Sequence, residues 1–204
     1  MATLNLGVLV SGRGSNLQAI LDAVGAGTID ARVRVVLSNV PDAKALERAA
    51  EVGVPTGVVR HRDYPGREAF DAALVEQLRG HGVEWVVLAG FMRVLTPGFV
   101  GAFPDRIINI HPALLPSFPG VHAQRQALDY GVKVSGCTVH LVDEGVDSGP
   151  ILAQRAVPVE PDDDEESLGQ RILVQEHALL VSVLRGIADG SLDPARARRR
   201  SHRG

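Results

Sequence analysis

A chain of 204 residues is long enough for one sizeable α/β domain and too short for two generous ones. Hydrophobic content of 45%, charge of 22% and a formal net charge of -3 describe an ordinary soluble globule. A nucleic-acid binder would carry a basic excess, so nucleic acid is not an expected partner.

The single Cys137 excludes an intramolecular disulfide, and the first residues lack a basic segment followed by an unbroken apolar one. Both features lead us to expect a cytoplasmic protein, and no apolar run approaches the roughly 20 residues of a membrane span. Residues 4–10 form a short apolar run that stops at Ser11-Gly12-Arg13-Gly14-Ser15-Asn16, after which Leu17, Ile20, Leu21 and Val24 recur at helical spacing. The pattern is strand, glycine loop, helix, and such a loop offers free N–H groups at the positive end of a helix. The loop lacks the Gly-Lys-Ser/Thr ending of a Walker motif, and Leu17 stands where a dinucleotide fingerprint has its third glycine. The second strand, 31–38, runs into Ser38-Asn39 instead of an acidic ribose ligand. A single phosphate monoester is the better ligand; a tight turn capped by Ser15 or Asn16 is the alternative.

A helix over 43–51, a strand over 56–59 and a helix over 67–79 follow, the last with Phe70, Leu74 and Leu78 on one face. This alternation predicts a mostly parallel sheet with helices on both faces, and ligands in such sheets bind off the carboxyl ends of strands. Residues 85–89 are the fourth strand, leading into Gly90-Phe91-Met92-Arg93-Val94-Leu95 and a short helix from Thr96-Pro97. The apolar stretch fits either core or the wall of a heteroaromatic pocket.

The fifth strand reads Arg106-Ile107-Ile108-Asn109-Ile110-His111 before Pro112 breaks it. Side chains alternate along a strand, so Asn109 and His111 leave its end on one face, as an oxyanion donor beside a proton carrier or as two polar groups satisfied at a turn. After an apolar, proline-rich loop over 112–120 and a helix from His122 to Tyr130, a strand over 134–142 puts Thr138, His140 and Val142 on one face. In the glycine-rich acidic loop over 143–150, Asp147 is suited to orient His111 or to cap a turn. A last strand over 151–157 precedes an acidic run, 162–166, that caps a long helix through Leu168, Ile172, Leu179, Leu180, Val183, Leu184 and Ile187. Glu176 falls in that helix's apolar row and needs a buried partner. The Arg-rich tail, 191–204, has no apolar pattern and is expected to be disordered. The histidines show no ligand spacing, so no metal is expected.

Four separated stretches, Ser11-Gly12-Arg13-Gly14-Ser15-Asn16-Leu17-Gln18, Leu88-Ala89-Gly90-Phe91-Met92-Arg93, Asn109-Ile110-His111-Pro112-Ala113-Leu114-Leu115-Pro116 and Val146-Asp147-Ser148-Gly149-Pro150, resemble the phosphoribosylglycinamide formyltransferases, folate-dependent enzymes of purine synthesis. The resemblance runs over about residues 4–190 and implies one formyltransferase domain over 1–190. The implied fold is Rossmann-like, a mostly parallel twisted sheet of about seven strands with helices on both faces.

The same resemblance implies transfer of the formyl group of 10-formyltetrahydrofolate to the amine of 5'-phosphoribosylglycinamide, with no metal, in a monomer or homodimer. It assigns Gly14, Ser15 and Asn16 to the substrate phosphate and Glu176 to its ribose, with Leu173 on that side of the pocket. It assigns Met92, Arg93, Val94 and Leu95, with Asn109, Asp143, Val146 and Asp147, to the pterin, and Arg67 to the distal acidic end of the folate. Asn109, His111 and Asp147 become the catalytic set, with Asp147 expected to raise the pKa of His111. Arg13, Leu173 and Ala113 depart from residues common among relatives. A formyltetrahydrofolate hydrolase, a methionyl-tRNA formyltransferase and a silent binding module are the rival readings. The first is expected to carry an added N-terminal domain and the second an added C-terminal one.

Overall fold

The computed structural model describes residues 3–201. Seven strands, β1 Leu4–Val10, β2 Ala31–Ser38, β3 Thr56–Val58, β4 Trp85–Leu88, β5 Ile107–His111, β6 Val134–Leu141 and β7 Ile151–Pro158, form one sheet in the order β3-β2-β1-β4-β5-β6-β7. The first five run parallel, while β6 is antiparallel to both its neighbours. The α/β architecture and the mostly parallel sheet expected from the alternation are both present.

Helices α1 Ser15–Gly25, α2 Lys44–Glu51, α3 Arg67–Gly80, α4 Pro97–Ala102, α5 Ala123–Tyr130 and α6 Glu165–Asp189 cover the sheet. Alternation along the strands divides the core between its faces. Leu6, Val8 and Val10 of β1 pack with Leu17 and Ile20 of α1 and Ile172, Leu180 and Leu184 of α6. Leu9, Val86, Leu88 and Ile107 pack on the opposite face with Phe70, Leu74 and Leu78 of α3 and Phe99 of α4. Strands buried on both faces read as continuous apolar runs, which is why β1, β2 and β4 are so legible.

The acidic run works as its position suggests. Asp164 Oδ1 accepts Ser167 N–H at 2.8 Å and Asp164 N–H donates to Ser167 Oγ at 3.0 Å, a reciprocal capping box at the start of α6. Asp163 grips Arg171, eight residues on, with contacts of 2.6 and 2.9 Å.

In the tail, where no ordered element was expected, the structure has a helix, α7 Pro194–Ser201. Proline suits a first helical position, the Asp193 carboxylate accepts Ala195 N–H at 3.0 Å, and alanine and arginine are strong helix formers. Periodicity carries no trace of such a helix, because it has no apolar face to bury.

The direction of strand addition reverses at β1, which has β2 on one side and β4 on the other. At that switch point the loops leaving β1 and β4 diverge and leave a crevice, and β5 ends beside it. Ser11–Asn16, Gly90–Leu95 and His111 are brought to one edge of the sheet for this reason.

Candidate active site

β5 delivers Asn109 and His111 to the same side of its carboxyl end, as the two-residue spacing requires. Asp147 meets both: its Oδ2 lies 3.3 Å from His111 Nδ1, and its Oδ1 accepts Asn109 Nδ2 at 3.4 Å. Asp147 sits at φ +52°, in the left-handed region that aspartate tolerates better than most residues. Its Oδ2 also accepts Gly120 N–H at 2.8 Å, which ties the loop after β5 to the loop after β6.

A fourth member was not assigned a role from sequence. In the antiparallel pairing Asn109 stands opposite His140, and Asn109 Nδ2 lies 3.1 Å from His140 Nε2. His140 Nδ1 is 2.8 Å from the Leu141 carbonyl, which can only accept. The network therefore assigns the proton to Nδ1 and leaves Nε2 to receive the Asn109 amide. The even spacing of Thr138 and His140 on β6 was the available signal; the register that aligns His140 with Asn109 is a property of the folded sheet.

His111 is 4% exposed, and its second ring nitrogen, Nε2, lies 2.8 Å from the Phe118 carbonyl. Both nitrogens thus face acceptors. Burial nevertheless is the largest influence and, with His140 beside it, lowers the imidazole pKa by more than Asp147 and the Phe118 carbonyl raise it. The expected upward shift is corrected here, since the covering loop that supplies the carbonyl also removes water. Burial pushes Asp147 the other way, but His140 when protonated, its Nε2 3.6 Å from Oδ1, together with Gly120 N–H and His111, outweighs it and holds the carboxyl below its usual value.

A histidine whose folded pKa is depressed stabilises the fold fully above its unfolded value of about 6.5 and loses that contribution as pH falls through the folded value. Denaturant titrations of wild type and His111→Gln across that interval are therefore expected to diverge, with the wild type losing more stability on acidification. Parallel curves would show that His111 does not titrate differently in the folded chain.

Two cavities adjoin this cluster. The larger, about 520 Å³, is lined by Met92, Arg93, Val94, Leu95, Asn109, His111, Asp143, Val146 and Asp147, among others. The structure thus brings together the catalytic set and every residue expected around the pterin. Met92 and Val94 are 69% and 51% exposed, so the stretch after β4 is cavity wall and not core, apart from the buried Phe91 and Leu95. Arg67 lies outside the lining, and its Nη2 donates to the Val94 carbonyl at 3.0 Å. Val121, His122, Gln124 and Glu165 complete the rim, none of them expected from sequence.

The smaller cavity, about 230 Å³, is lined by Ser11 through Asn16 with Ala89, Gly90 and Met92. Gly14, not Ser15 or Asn16, is the N-cap of α1; it makes no side-chain cap, and no acidic residue lies in the first turn. The first amides of α1 are therefore left without a side-chain acceptor, which suits them to an anion. Leu173 and Glu176 line neither cavity. Glu176 Oε2 instead accepts Asn16 Nδ2 at 2.8 Å, burial pushes the carboxyl pKa up, and Asn16 Oδ1 is buried without a partner. Cys137 is fully buried, with its thiol pushed up to about 12 by burial and then by Glu176, so it is inert as a nucleophile. Among the described residues no cluster of three or more His, Cys, Asp or Glu side chains is placed to hold a metal, and no helix is long and apolar enough to cross a membrane.

Residues 4–184 match the family model described as formyl transferase. The chain is 50% identical over 187 residues to a phosphoribosylglycinamide formyltransferase of Mycobacterium tuberculosis, an alignment covering 92% of this chain and 86% of that one. It is 51% identical over 187 residues to the trifunctional purine biosynthetic protein adenosine-3 of Drosophila pseudoobscura pseudoobscura, covering 91% of this chain but only 14% of that protein's length. Among solved structures, glycinamide ribonucleotide transformylase 1 from Symbiobacterium toebii superposes with a TM-score of 0.91 at 53% identity, over 92% of this chain and 89% of that one.

Proposed function

The chain belongs to the formyl transferase family, and from that premise we propose that it transfers the formyl group of 10-formyltetrahydrofolate to the primary amine of 5'-phosphoribosylglycinamide. The products are formyl-phosphoribosylglycinamide and tetrahydrofolate, in de novo purine synthesis. One observation carries the reading: Asn109, His111 and Asp147 meet in the larger cleft, and Gly90 and Met92 are shared between that cleft and a cradle of unpaired helix amides.

Gly14, Ser15 and Asn16 hold the phosphate at the start of α1. Glu176, which lines neither cavity, acts on the ribose side by holding Asn16, a residue of the cradle, through Nδ2 at 2.8 Å. The cleft fits a flat heteroaromatic ring: Met92, Val94, Leu95 and Val146 give apolar contact, while Arg93, Asp143 and the backbone supply polar edges. Arg67 braces Val94 from behind, and its exposed guanidinium is left to meet the acidic end of the folate.

The folate supplies a formyl group already activated at N10, and the amine is its own nucleophile. As the amine attacks the formyl carbon, charge gathers on the formyl oxygen. Asn109 Nδ2, exchanging its long 3.4 Å contact with Asp147 for the oxyanion, donates to it, and so does His111 once it has taken the amine proton; one such donor is typically worth about 10² to 10³ in rate. The amine must lose a proton and N10 must gain one. His111 relays it, directly or through a water held by Asp147, for about 10² to 10⁴ more. With its pKa lowered by burial, His111 is a ready base, and Asp147 at Nδ1 stabilises the imidazolium that forms. The Phe118 carbonyl must give way for Nε2 to reach substrate. Phe118 is held at φ +56°, a left-handed conformation that costs a non-glycine residue roughly 1–2 kcal/mol, so release of that carbonyl is favoured locally. All these groups come from one chain, so the reading serves a monomer and each half of a homodimer alike. A reduced, buried Cys137 is consistent with a cytoplasmic setting.

The test is turnover of 10-formyltetrahydrofolate with and without phosphoribosylglycinamide. Formyl transfer that depends on the acceptor is expected. Formate released without acceptor would identify a hydrolase, and no product in either case a binding module.

A further inference from the structure

Ser11 lies outside the catalytic set and has no part in the mechanism above, yet it joins three strand ends. It follows β1 directly, and its N–H donates to the Gly90 carbonyl at 3.1 Å. Its hydroxyl accepts Met92 N–H at 2.9 Å and donates to Asn39 Oδ1 at 2.6 Å. Asn39 follows β2 and is itself buried, 6% exposed, with Nδ2 placed 3.5 Å from His61 Nδ1. The direction of the Ser11 hydroxyl is therefore fixed. Asn39 Oδ1 can only accept, so the Ser11 proton points to it and an oxygen lone pair is left for Met92.

Gly90 and Met92, the residues held by Ser11 from both its backbone and its side chain, line the cleft and the cradle alike. We propose that Ser11 is a positioning residue: its hydroxyl, oriented by Asn39, locks the Gly90–Met92 wall shared by the folate and phosphate sites, so that filling one site favours filling the other. The inference rests on the two-substrate reading above. A wall held rigid by Ser11 moves as one body, so the pose set by the first ligand is the pose the second one meets, and the resulting coupling is reciprocal.

The experiment measures dissociation constants of phosphoribosylglycinamide and of tetrahydrofolate, each alone and with the other saturating, together with KM and kcat, in the full chain. Ser11→Ala is expected to weaken tetrahydrofolate roughly three- to tenfold, the effect of one lost hydrogen bond. Phosphoribosylglycinamide alone, whose cradle Ser11 also lines, should weaken by a smaller factor than tetrahydrofolate, and the factor by which each ligand tightens the other should fall towards one. Ser11→Thr, which keeps the hydroxyl, should restore the coupling. A general loosening of the fold would weaken both ligands equally and would not respond to threonine in this way.

Asn39→Ala keeps the Ser11 hydroxyl but removes what aims it, and gives the same pattern at smaller size should Ser11→Ala fail to fold. Equal losses for both ligands, or unchanged coupling in the Ser11 and Asn39 variants, would overturn the proposal. Wild type that binds neither ligand would instead overturn the reading beneath it.

Discussion

Replacing Asp147 with asparagine is expected to lower kcat by about 10³-fold or more, while phosphoribosylglycinamide binds within a few-fold of its wild-type affinity. The carboxylate serves three partners with two oxygens: Oδ2 faces His111 Nδ1 at 3.3 Å and accepts Gly120 N–H at 2.8 Å, while Oδ1 accepts Asn109 Nδ2 at 3.4 Å. Asparagine offers one oxygen and one NH₂. Whichever way the amide turns, either the His111 and Gly120 side or the Asn109 side meets a donor where it met an acceptor. The imidazolium loses its counter-charge as well. Asparagine also tolerates the left-handed backbone that residue 147 adopts, so the loss reports on chemistry and not on folding. His111→Ala should fall in the same range, and the double variant should lose little beyond the worse single one, because groups acting as a unit are strongly non-additive. Steady-state kcat with calorimetric Kd for the phosphate-bearing substrate makes the check. A large loss of binding with kcat intact would reverse the assigned roles.

How far the sequence exposes this site depends on which interactions leave a local trace. Alternation along β5 marks Asn109 and His111, and the glycine loop before Leu17 marks the cradle, because both patterns are written in neighbouring residues. Asp147 is visible only as a carboxylate bracketed by small residues, and its contact with His111 needs the two loops to close. His140 is set opposite Asn109 by the β5–β6 register, which no local pattern encodes. The Phe118 carbonyl and Gly120 N–H are backbone groups and have no residue signature at all. The direction of the His111 shift fails for the same reason: neighbouring charge can be guessed from an aspartate, whereas the burial that outweighs it comes from how the proline-rich loop lies. Glu176 falls between these cases. Its place in the apolar row of α6 predicts that it is inward, but not that Asn16 would be its partner.

The second large effect is expected at Gly14, where Gly14→Ala should both destabilise the fold and weaken phosphoribosylglycinamide more than tenfold. Gly14 adopts φ +74°, and a Cβ there would lie 2.6 Å from Ala45 Cβ and 2.7 Å from Ala45 Cα. Ala45 is fully buried in α2, and its N–H donates to the Gly12 carbonyl at 3.1 Å, so neither partner has a flexible end to move aside. The left-handed backbone costs roughly 1–2 kcal/mol and the overpacking about 1–3 more. At about 2–4 °C per kcal/mol for a chain of this size, a fall in Tm of roughly 4–20 °C follows. Relief comes from pushing the loop off α2, which turns the first amides of α1 away from the phosphate. Gly12→Ala is the control, since a Cβ at Gly12 meets nothing within 4 Å and its backbone is not left-handed. It should melt within about 1–2 °C of wild type, the scale of an ordinary surface change. If Gly14→Ala melted like Gly12→Ala and kept its substrate affinity, the tight packing of the phosphate loop on α2 would not be what aims those amides.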